Sequence, residues 1–307
     1  MGCATLSVSL PEPQETAMKR VLITGANSGI GRATAIHLAA EGYEVFGAMR
    51  RLDRGEKVID GAKQAGGVFH PVTLDVNDEA SVVSAARAIE DNGGPIDILI
   101  NNAGVAHNAC VEDVDIEAAK RVFETNYWGV IRCTQAFLPG MRGRRTGQII
   151  NISSVAGRIA AIGQAIYASS KWALECLSEN LAQEVAPFGV RVILIEPGVT
   201  RTAILAKNVD VPQPTEYGDA YRRMLQFYAR GIEANVQADV VARQVLTAIE
   251  DPAKRLRYAC AWGGVELAEG RKRLRDEDWI ALGRYDQDED YFDAFERAFE
   301  LDIRPRT

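Results

Sequence analysis

Residues 20–31 read RVLITGANSGIG, a short apolar run that leads directly into a turn containing three glycines. The run Arg20–Thr24 is rich in β-branched residues, which favour a strand, and the helical pattern that follows extends through Leu38 to about Glu41. Glycines let a backbone approach a pyrophosphate closely, and a helix N-terminus adds unpaired N–H groups and partial positive charge. The stretch therefore predicts a dinucleotide-binding βα unit, with a plain strand-to-helix turn as the alternative.

Further short apolar runs alternate with helical patterns along the chain. We predict strands at 43–49, 68–74, 96–100, 147–152, 190–195 and 256–261. Near-continuous apolar strands separated by helices are typical of a parallel sheet that is covered on both faces. The expected fold is α/β, a Rossmann-like doubly wound parallel sheet of about seven strands, forming a single domain with a small C-terminal helical lid or tail.

The domain organisation follows from changes in composition. Residues 1–17 contain two prolines and little periodicity, so we expect a flexible N-terminal tail. The Rossmann domain is predicted at 18–262. Within it, 203–235 carries an apolar stripe that forms either core or a substrate lid. At 263–307 we expect a helical extension whose aromatic face docks on its own domain or on a partner subunit.

The second predicted strand ends at Arg50, where a dinucleotide fold faces the adenosine ribose. A carboxylate there would bind two free ribose hydroxyls, whereas a guanidinium pairs with a 2'-phosphate through charge-assisted hydrogen bonds. The residue therefore favours NADP(H) over NAD(H), unless Arg50 is solvated surface. Asp75 and Val76, after the third strand, could bond and pack on an adenine; Asp75 could equally cap the next helix. Asn102, in NNAG, is as suited to an architectural role as to binding.

Tyr167 and Lys171 lie four positions apart on a predicted helix, so both side chains share one face, about 6 Å apart along the axis. A nearby cation lowers the pKa of a phenol, which brings a tyrosine toward use as a general acid or base. Ser154, just past a strand end, is placed to donate a hydrogen bond to an oxygen that gains negative charge. The alternative is an ordinary amphipathic pair on a helix.

Asn126 falls inside a long predicted helix at 112–137, where asparagine is mildly unfavourable. One interpretation is that the Asn126 side chain, or a backbone carbonyl freed beside it, holds a water in a proton relay. The alternative is that Asn126 is a hydrogen-bonded polar residue at a helix bend.

Composition excludes several other classes. A net charge of -7 and a pI near 5.2 argue against binding to nucleic acid. Five widely spaced cysteines favour a reducing compartment, and we expect a cytoplasmic protein. The three histidines follow no ligand spacing, so no metal site is predicted. We expect neither a membrane-spanning segment nor a secretory leader.

Together, TGANSGIG, NNAG, Asn126, Ser154, YASSK and PGVTRT resemble the short-chain dehydrogenase/reductase family, most closely its hydroxysteroid and retinol dehydrogenase-like branch. The resemblance implies Tyr167 as general acid/base, Ser154 orienting the substrate oxygen, Lys171 bonding the nicotinamide ribose and lowering the tyrosine pKa, and Asn126 supporting a proton relay. By the same resemblance, the cofactor is bound by Gly25, Ser28, Gly29, Ile30, Gly31, Arg50, Asp75, Val76, Asn102, Ala103, Gly104, Tyr167, Lys171, Pro197, Gly198, Thr200 and Thr202.

The expected activity is NADP(H)-dependent hydride transfer between the nicotinamide and a carbonyl or secondary alcohol of a hydrophobic substrate that is steroid-, retinoid- or aryl/alkyl-ketone-like. A homodimer or homotetramer is expected, since family members commonly pair through the helices that hold Asn126 and Tyr167. Two alternatives are a 3-oxoacyl-carrier ketoreductase and a non-catalytic NADP(H)-sensing or scaffold protein. The intact Ser154, Tyr167 and Lys171 set disfavours the second, because a sensor needs no proton donor.

Overall fold

The computed structural model describes residues 18–208 and 216–306, and its strands form one parallel sheet in the order β3-β2-β1-β4-β5-β6-β7. The strands are β1 (Arg20–Thr24), β2 (Glu44–Met49), β3 (Val68–Thr73), β4 (Ile98–Asn101), β5 (Gly147–Ile152), β6 (Val190–Pro197) and β7 (Arg257–Cys260). The predicted tail at 1–17 and the part of the predicted lid at 209–215 lie outside the described residues. The predicted α/β fold is confirmed.

Strand order reverses between β1 and β4, which pair in parallel with Ile23 opposite Ile100. At such a reversal the connections leave toward opposite faces, so a crevice opens beyond the carboxyl ends of the two strands. The loops that follow β1, β4 and β5 all meet at this edge. The main predicted site residues therefore lie on neighbouring loops.

Helices cover both faces of the sheet. They are α1 (Gly29–Ala40), α2 (Glu56–Gln64), α3 (Glu79–Asp91), α4 (Ile116–Phe123), α5 (Gly129–Arg144), α6 (Ala165–Val185), α7 (Ala203–Asn208), α8 (Gly218–Glu233), α9 (Ala238–Glu250), α10 (Gly264–Arg273), α11 (Asp276–Ala281) and α12 (Asp288–Phe299). One buried core joins α1, α2 and α9 to the sheet, and a second joins α3, α5 and α6 to the opposite face. Within the described ranges, no helix has the length and apolarity needed to cross a membrane.

The predicted helix at 112–137 is wrong as a single continuous element. A short 3-10 turn at Val111–Asp113 comes first, and a π-helical segment at Glu124–Trp128 separates α4 from α5. The segment widens the helix where Asn126 turns inward, and Asn126 is only 1% exposed. Such π segments are rare and concentrate at functional positions.

The C-terminal helices α10, α11 and α12 dock on the chain's own domain, one of the two predicted outcomes. Phe292, Phe295 and Phe299 of α12 are buried together with Val155 and Ile159 from the loop between β5 and α6. Val155 and Ile159 follow the carboxyl end of β5, so the extension lies beside the carboxyl edge of the sheet. The aromatic face predicted from sequence makes this contact.

Candidate active site

One cavity of about 720 Å³ runs along the carboxyl edge of the sheet. Every predicted catalytic and cofactor-binding residue except Gly31 and Asn126 contributes to its lining. The two exceptions lie directly behind it, as described below. The structure therefore brings together residues that are far apart in sequence.

The glycine turn after β1 has the shape of a phosphate cradle. Gly25 and Gly29 have positive φ angles of 68° and 52°, which side chains other than glycine rarely adopt. A Cβ added at Gly31 would lie 2.4 Å from the carbonyl oxygen of Gly25, so this position admits no side chain without movement. Ser28 precedes α1 without capping it through its side chain. Backbone N–H groups at the start of α1 are thus available to an anion.

Asn102 has the architectural role that the sequence left open. Its Nδ2 donates to the carbonyl oxygens of Thr24 and Gly25, at 2.8 and 3.3 Å. The backbone N–H groups of Asn102 and Ala103 donate to the Thr24 hydroxyl. These bonds tie the loop after β4 to the glycine turn, so they hold the crevice open.

Basic residues surround the far end of the crevice, beyond β2. Arg50 is exposed and lines the cavity, and so does Arg54, which the sequence analysis missed. Arg51 instead forms an ion pair with Asp53. Arg54 is four residues after Arg50, and the 3-10 turn at Leu52–Arg54 brings it back toward the cavity. No sequence pattern predicted that turn.

Asp75 and Val76 line the same end of the cavity. The Asp75 carboxylate accepts from the backbone N–H of Asn77, whereas the N-cap of α3 is Asp78, which accepts from Ala80 and Ser81. Asp75 therefore does not cap α3, the alternative considered for it.

Ser154, Tyr167 and Lys171 converge at the middle of the cavity. Ser154 follows β5 and shares a hydrogen bond with the Tyr167 phenol. Lys171 Nζ donates to the carbonyl oxygen of Ile152 at 2.9 Å and lies 5.8 Å from the centre of the Tyr167 ring. The helical spacing of four thus places both side chains on the face of α6 that meets the end of β5.

Burial controls the ionisation of this group. It raises the pKa of the Tyr167 phenol, although the hydrogen bond with Ser154 acts in the opposite direction. It lowers the pKa of Lys171 to about 8, against an opposing effect of the Glu175 carboxylate. Loss of solvent around the phenol is the largest influence on the Tyr167 pKa in this structure, and a lowering by Lys171 stays a prediction. Tyr167 is protonated at neutral pH.

A buried charge network that the sequence did not reveal stands behind Lys171. Glu175, one turn further along α6, bonds Arg257 Nε at 2.8 Å, and the same Nε lies 3.2 Å from Glu196. Arg158 contacts Glu196 at 3.1 Å. Burial and the neighbouring Glu196 raise the pKa of Glu175. The i, i+4 spacing of Lys171 and Glu175 was the available signal. The arginines lie elsewhere in the chain, Arg158 between β5 and α6 and Arg257 at the start of β7.

Asn126 joins the loop after β4 to α6. Its Oδ1 accepts from the Val105 N–H at 2.9 Å, and its Nδ2 donates to the Val105 carbonyl oxygen and to Ser170 Oγ. The side chain is thus held entirely by protein groups, which explains why asparagine occurs inside a helix here.

The loop after β6 lines the same cavity as Ser154, Tyr167 and Lys171. A Cβ at Gly198 would lie 2.0 Å from the carbonyl oxygen of Trp262, so glycine permits the close approach of these backbones. Thr200 is buried, and its hydroxyl donates to the Gly198 carbonyl oxygen. Thr202 contacts Gly29 of the glycine turn. The stretch from Pro197 to Thr202 therefore connects the cradle to Ser154, Tyr167 and Lys171.

The remainder of the cavity is largely apolar. Ile159, Ile162 and Gln164 line it together with residues of α8. Helices α11 and α12 also contribute, through Trp279 and Phe295. We call this part of the cavity, which is lined by α8, α11 and α12, the outer chamber. Nowhere in 18–208 or 216–306 do His, Cys, Asp and Glu cluster as a metal site.

Fold and family comparisons agree on the class of protein. A family model described as short chain dehydrogenase matches residues 19–212. The protein is an oxidoreductase of the class that interconverts alcohols and ketones. The chain belongs to the short-chain dehydrogenase family, as the sequence resemblance implied.

Individual relatives cover most of the chain. It is 35% identical over 270 residues to mouse 17-beta-hydroxysteroid dehydrogenase type 1, an alignment that spans 84% of this chain and 77% of the relative. A short-chain dehydrogenase structure from Streptomyces avermitilis matches with a TM-score of 0.77 and 30% identity, covering 89% of this chain and 100% of that one. The structure of actinorhodin polyketide ketoreductase with NADPH matches with a TM-score of 0.69 and 28% identity. The match covers 78% of this chain and 94% of that one.

Proposed function

We propose that this protein is an NADP(H)-dependent oxidoreductase that transfers a hydride between the nicotinamide and a carbonyl or secondary alcohol of a hydrophobic substrate. The observation that carries the proposal is the position of Tyr167. Tyr167 lines the same cavity as the glycine cradle and the apolar residues of the outer chamber. A substrate oxygen in that chamber would meet a proton donor next to the place where a dinucleotide ends.

Bound NADP(H) would supply or accept the hydride. In the reductive direction, Tyr167 gives its proton to the carbonyl oxygen, and in the oxidative direction it takes the proton of the alcohol. Ser154 donates a hydrogen bond to the same oxygen and so stabilises the charge that develops there. The raised pKa of Tyr167 keeps the phenol protonated at neutral pH, the form that a donor needs.

Lys171 and Asn126 support this chemistry. Lys171 is mainly an ammonium at neutral pH, since its pKa is about 8, and it would bond the ribose next to the nicotinamide. We assign Asn126 a positioning role: it fixes Val105 against Ser170, and thereby holds the loop after β4 in place for a proton relay.

The residues present fit a dinucleotide. Gly25, Gly29 and Gly31 leave the cradle free of side chains, and the start of α1 offers unpaired N–H groups for a pyrophosphate. Arg50 and Arg54 favour a 2'-phosphate on the ribose at the far end. The solved structure of a related ketoreductase with NADPH supports the same assignment by analogy.

We expect Arg50→Ala to weaken NADPH binding by about ten- to a hundredfold, since a hydrogen bond to a charged group contributes about 1.5–3 kcal/mol. NADH binding should change little, because NADH lacks the 2'-phosphate. Dissociation constants measured by nucleotide fluorescence give both values. Arg51→Ala is the matched control: Arg51 is adjacent and exposed but pairs with Asp53, so neither constant should change. Equal losses for NADPH and NADH would contradict the assignment.

The activity itself is tested by a panel of apolar ketones and secondary alcohols, assayed by the absorbance of the reduced nicotinamide. We expect turnover with ring-containing, uncharged substrates and with NADPH in preference to NADH. Tight NADPH binding without turnover of any compound would instead favour the sensor or scaffold alternative.

Further assignments accompany this proposal. Residues 18–262 would form the NADP-binding catalytic domain, with 203–235 as its substrate lid and 263–307 as an extension that completes the chamber. Trp128 and Trp172 are about half exposed on the helices that hold Asn126 and Tyr167, which favours pairing of subunits through these helices as a homodimer or homotetramer. Free Cys110, Cys133, Cys176 and Cys260 agree with a cytoplasmic location.

A further inference from the structure

Arg223 of α8 is a buried cation in the wall of the outer chamber. It is 3% exposed and lines the cavity. The other charged residues of the lining lie elsewhere: Arg50, Arg54 and Asp75 beyond β2 and β3, and Lys171 beside Tyr167. The neighbours of Arg223 in the wall are apolar or aromatic, among them Met224, Phe227 and Tyr291. A guanidinium in such surroundings needs a function or a complete set of partners.

The protein supplies only part of that set. Arg223 Nε donates to Asp288 at 2.9 Å, and Nη2 donates to the carbonyl oxygen of Tyr285 at 2.7 Å. The guanidinium also lies over the Tyr291 ring, 4.6 Å from its centre. For Nη1, no acceptor is found among the residues that the structure describes. A guanidinium has five N–H donors in a fixed plane, so the unbonded side remains for a molecule in the chamber.

The charge of Arg223 is already balanced locally. Asp288 pairs with both Arg223 and Arg222, and Arg222 also pairs with Asp219. Two guanidinium groups thus meet two carboxylates. The occupant therefore needs a hydrogen-bond-accepting oxygen and no net charge, and the surrounding rings favour an apolar, ring-containing body.

Resting on the proposed function, we propose that Arg223 is a specificity-determining residue that binds a second oxygen of the substrate, separate from the carbonyl or alcohol that reacts at Tyr167. The substrate class is then an apolar ketone or alcohol that carries a hydroxyl or carbonyl oxygen elsewhere on its ring system. A site built to donate to such an oxygen discriminates strongly against the analogue that lacks it, because the buried donor is then left unpaired.

The test compares two ketones that differ in one oxygen: cyclohexanone with a phenyl ring on the carbon opposite the carbonyl, and the same compound with a hydroxyl at the far end of that ring. We expect kcat/KM for the hydroxylated ketone to exceed that for the plain one by about ten- to a hundredfold, the range for a hydrogen bond to a charged group. In Arg223→Met the ratio should fall to about one. Equal values in the native protein would overturn the proposal, as would a ratio that survives in Arg223→Met.

Arg222→Met is the matched control. It removes the other guanidinium that pairs with Asp288, but Arg222 is exposed and does not line the cavity. The ratio should therefore stay at its native value; its loss in this variant would mean that Asp288 and the packing of α12, rather than Arg223, set the preference. Arg223→Lys keeps a cation facing Asp288 if the methionine variant fails to fold, and an intermediate ratio is expected; an undiminished one would refute the role.

Calorimetry separates this inference from the proposed activity. Binding of the two ketones is measured with the native protein and with Arg223→Met, each loaded with NADP⁺ so that reduction cannot proceed. Tighter binding of the hydroxylated ketone that is lost in Arg223→Met supports the Arg223 site even if neither ketone turns over with NADPH, an outcome that would count against the activity alone. Turnover of both ketones at the same rate and equal binding would reject only the Arg223 site.

Discussion

Replacement of Tyr167 by phenylalanine is expected to lower kcat by about a hundredfold or more, because general acid/base catalysis contributes on that order. The substitution removes one hydroxyl and leaves the ring, so the packing of α6 should be preserved. The Lys171 side chain keeps its bond to the Ile152 carbonyl oxygen, and the glycine cradle is untouched. NADPH affinity should therefore change less than threefold, measured by nucleotide fluorescence beside steady-state turnover of the most active ketone.

Tyr127→Phe provides the comparison for this result. Tyr127 is also a partly buried tyrosine. It lies in the π-helical segment between α4 and α5 and does not line the cavity. Its loss of a hydroxyl should leave turnover at the native level. Native turnover in Tyr167→Phe would show that another group moves the proton, and equal losses in both variants would point to a general effect on stability.

Gly31→Ala is expected to destabilise the protein and to weaken NADPH binding by about tenfold or more. Alanine is the better helix former by about 1 kcal/mol, but its Cβ would lie 2.4 Å from both the Gly25 carbonyl oxygen and Asn102 Nδ2. Such overpacking costs about 1–3 kcal/mol. Because Gly25 belongs to a turn with positive φ and Asn102 holds that turn, we expect the clash to dominate and the cradle to deform.

A second glycine separates the clash from helix propensity. Gly143 lies in α5, has nothing within 4 Å of an added Cβ, and does not line the cavity. Gly143→Ala should raise the free energy of unfolding by up to about 1 kcal/mol and therefore raise the thermal midpoint slightly. NADPH affinity should be unchanged. A Gly31→Ala protein with native midpoint and native affinity would show that the turn after β1 is more adaptable than its contacts indicate.

The sequence predicted the sheet well because each strand is a short, nearly continuous apolar run. The second strand was predicted at 43–49 and is found at Glu44–Met49, and the seventh at 256–261 and Arg257–Cys260. The convergence of Ser154, Tyr167 and Lys171 was equally accessible, since Ser154 marks a strand end and the other two share one helical face. Both predictions rest on local periodicity.

Features that depend on tertiary contacts could not be predicted in this way. Asn126, inside the π segment, bonds Val105 and Ser170, which lie 21 and 44 residues away in sequence. The direction of the Tyr167 pKa shift depends on how deeply the phenol is buried, which the Tyr-to-Lys spacing does not report. The aromatic face of α12 indicated that something covers it, but only the fold shows that the same rings border the outer chamber.

The order of residues along the chain has a consequence for synthesis and for evolution. The cradle glycines, Arg50 and Asp75 all precede residue 80, whereas Tyr291 and Phe295 belong to α12. During synthesis, the glycine turn and the residues at the far end of the cavity are therefore made well before the α12 wall of the outer chamber. Substitutions in that late segment can alter which molecules are accepted while the machinery for redox chemistry stays the same.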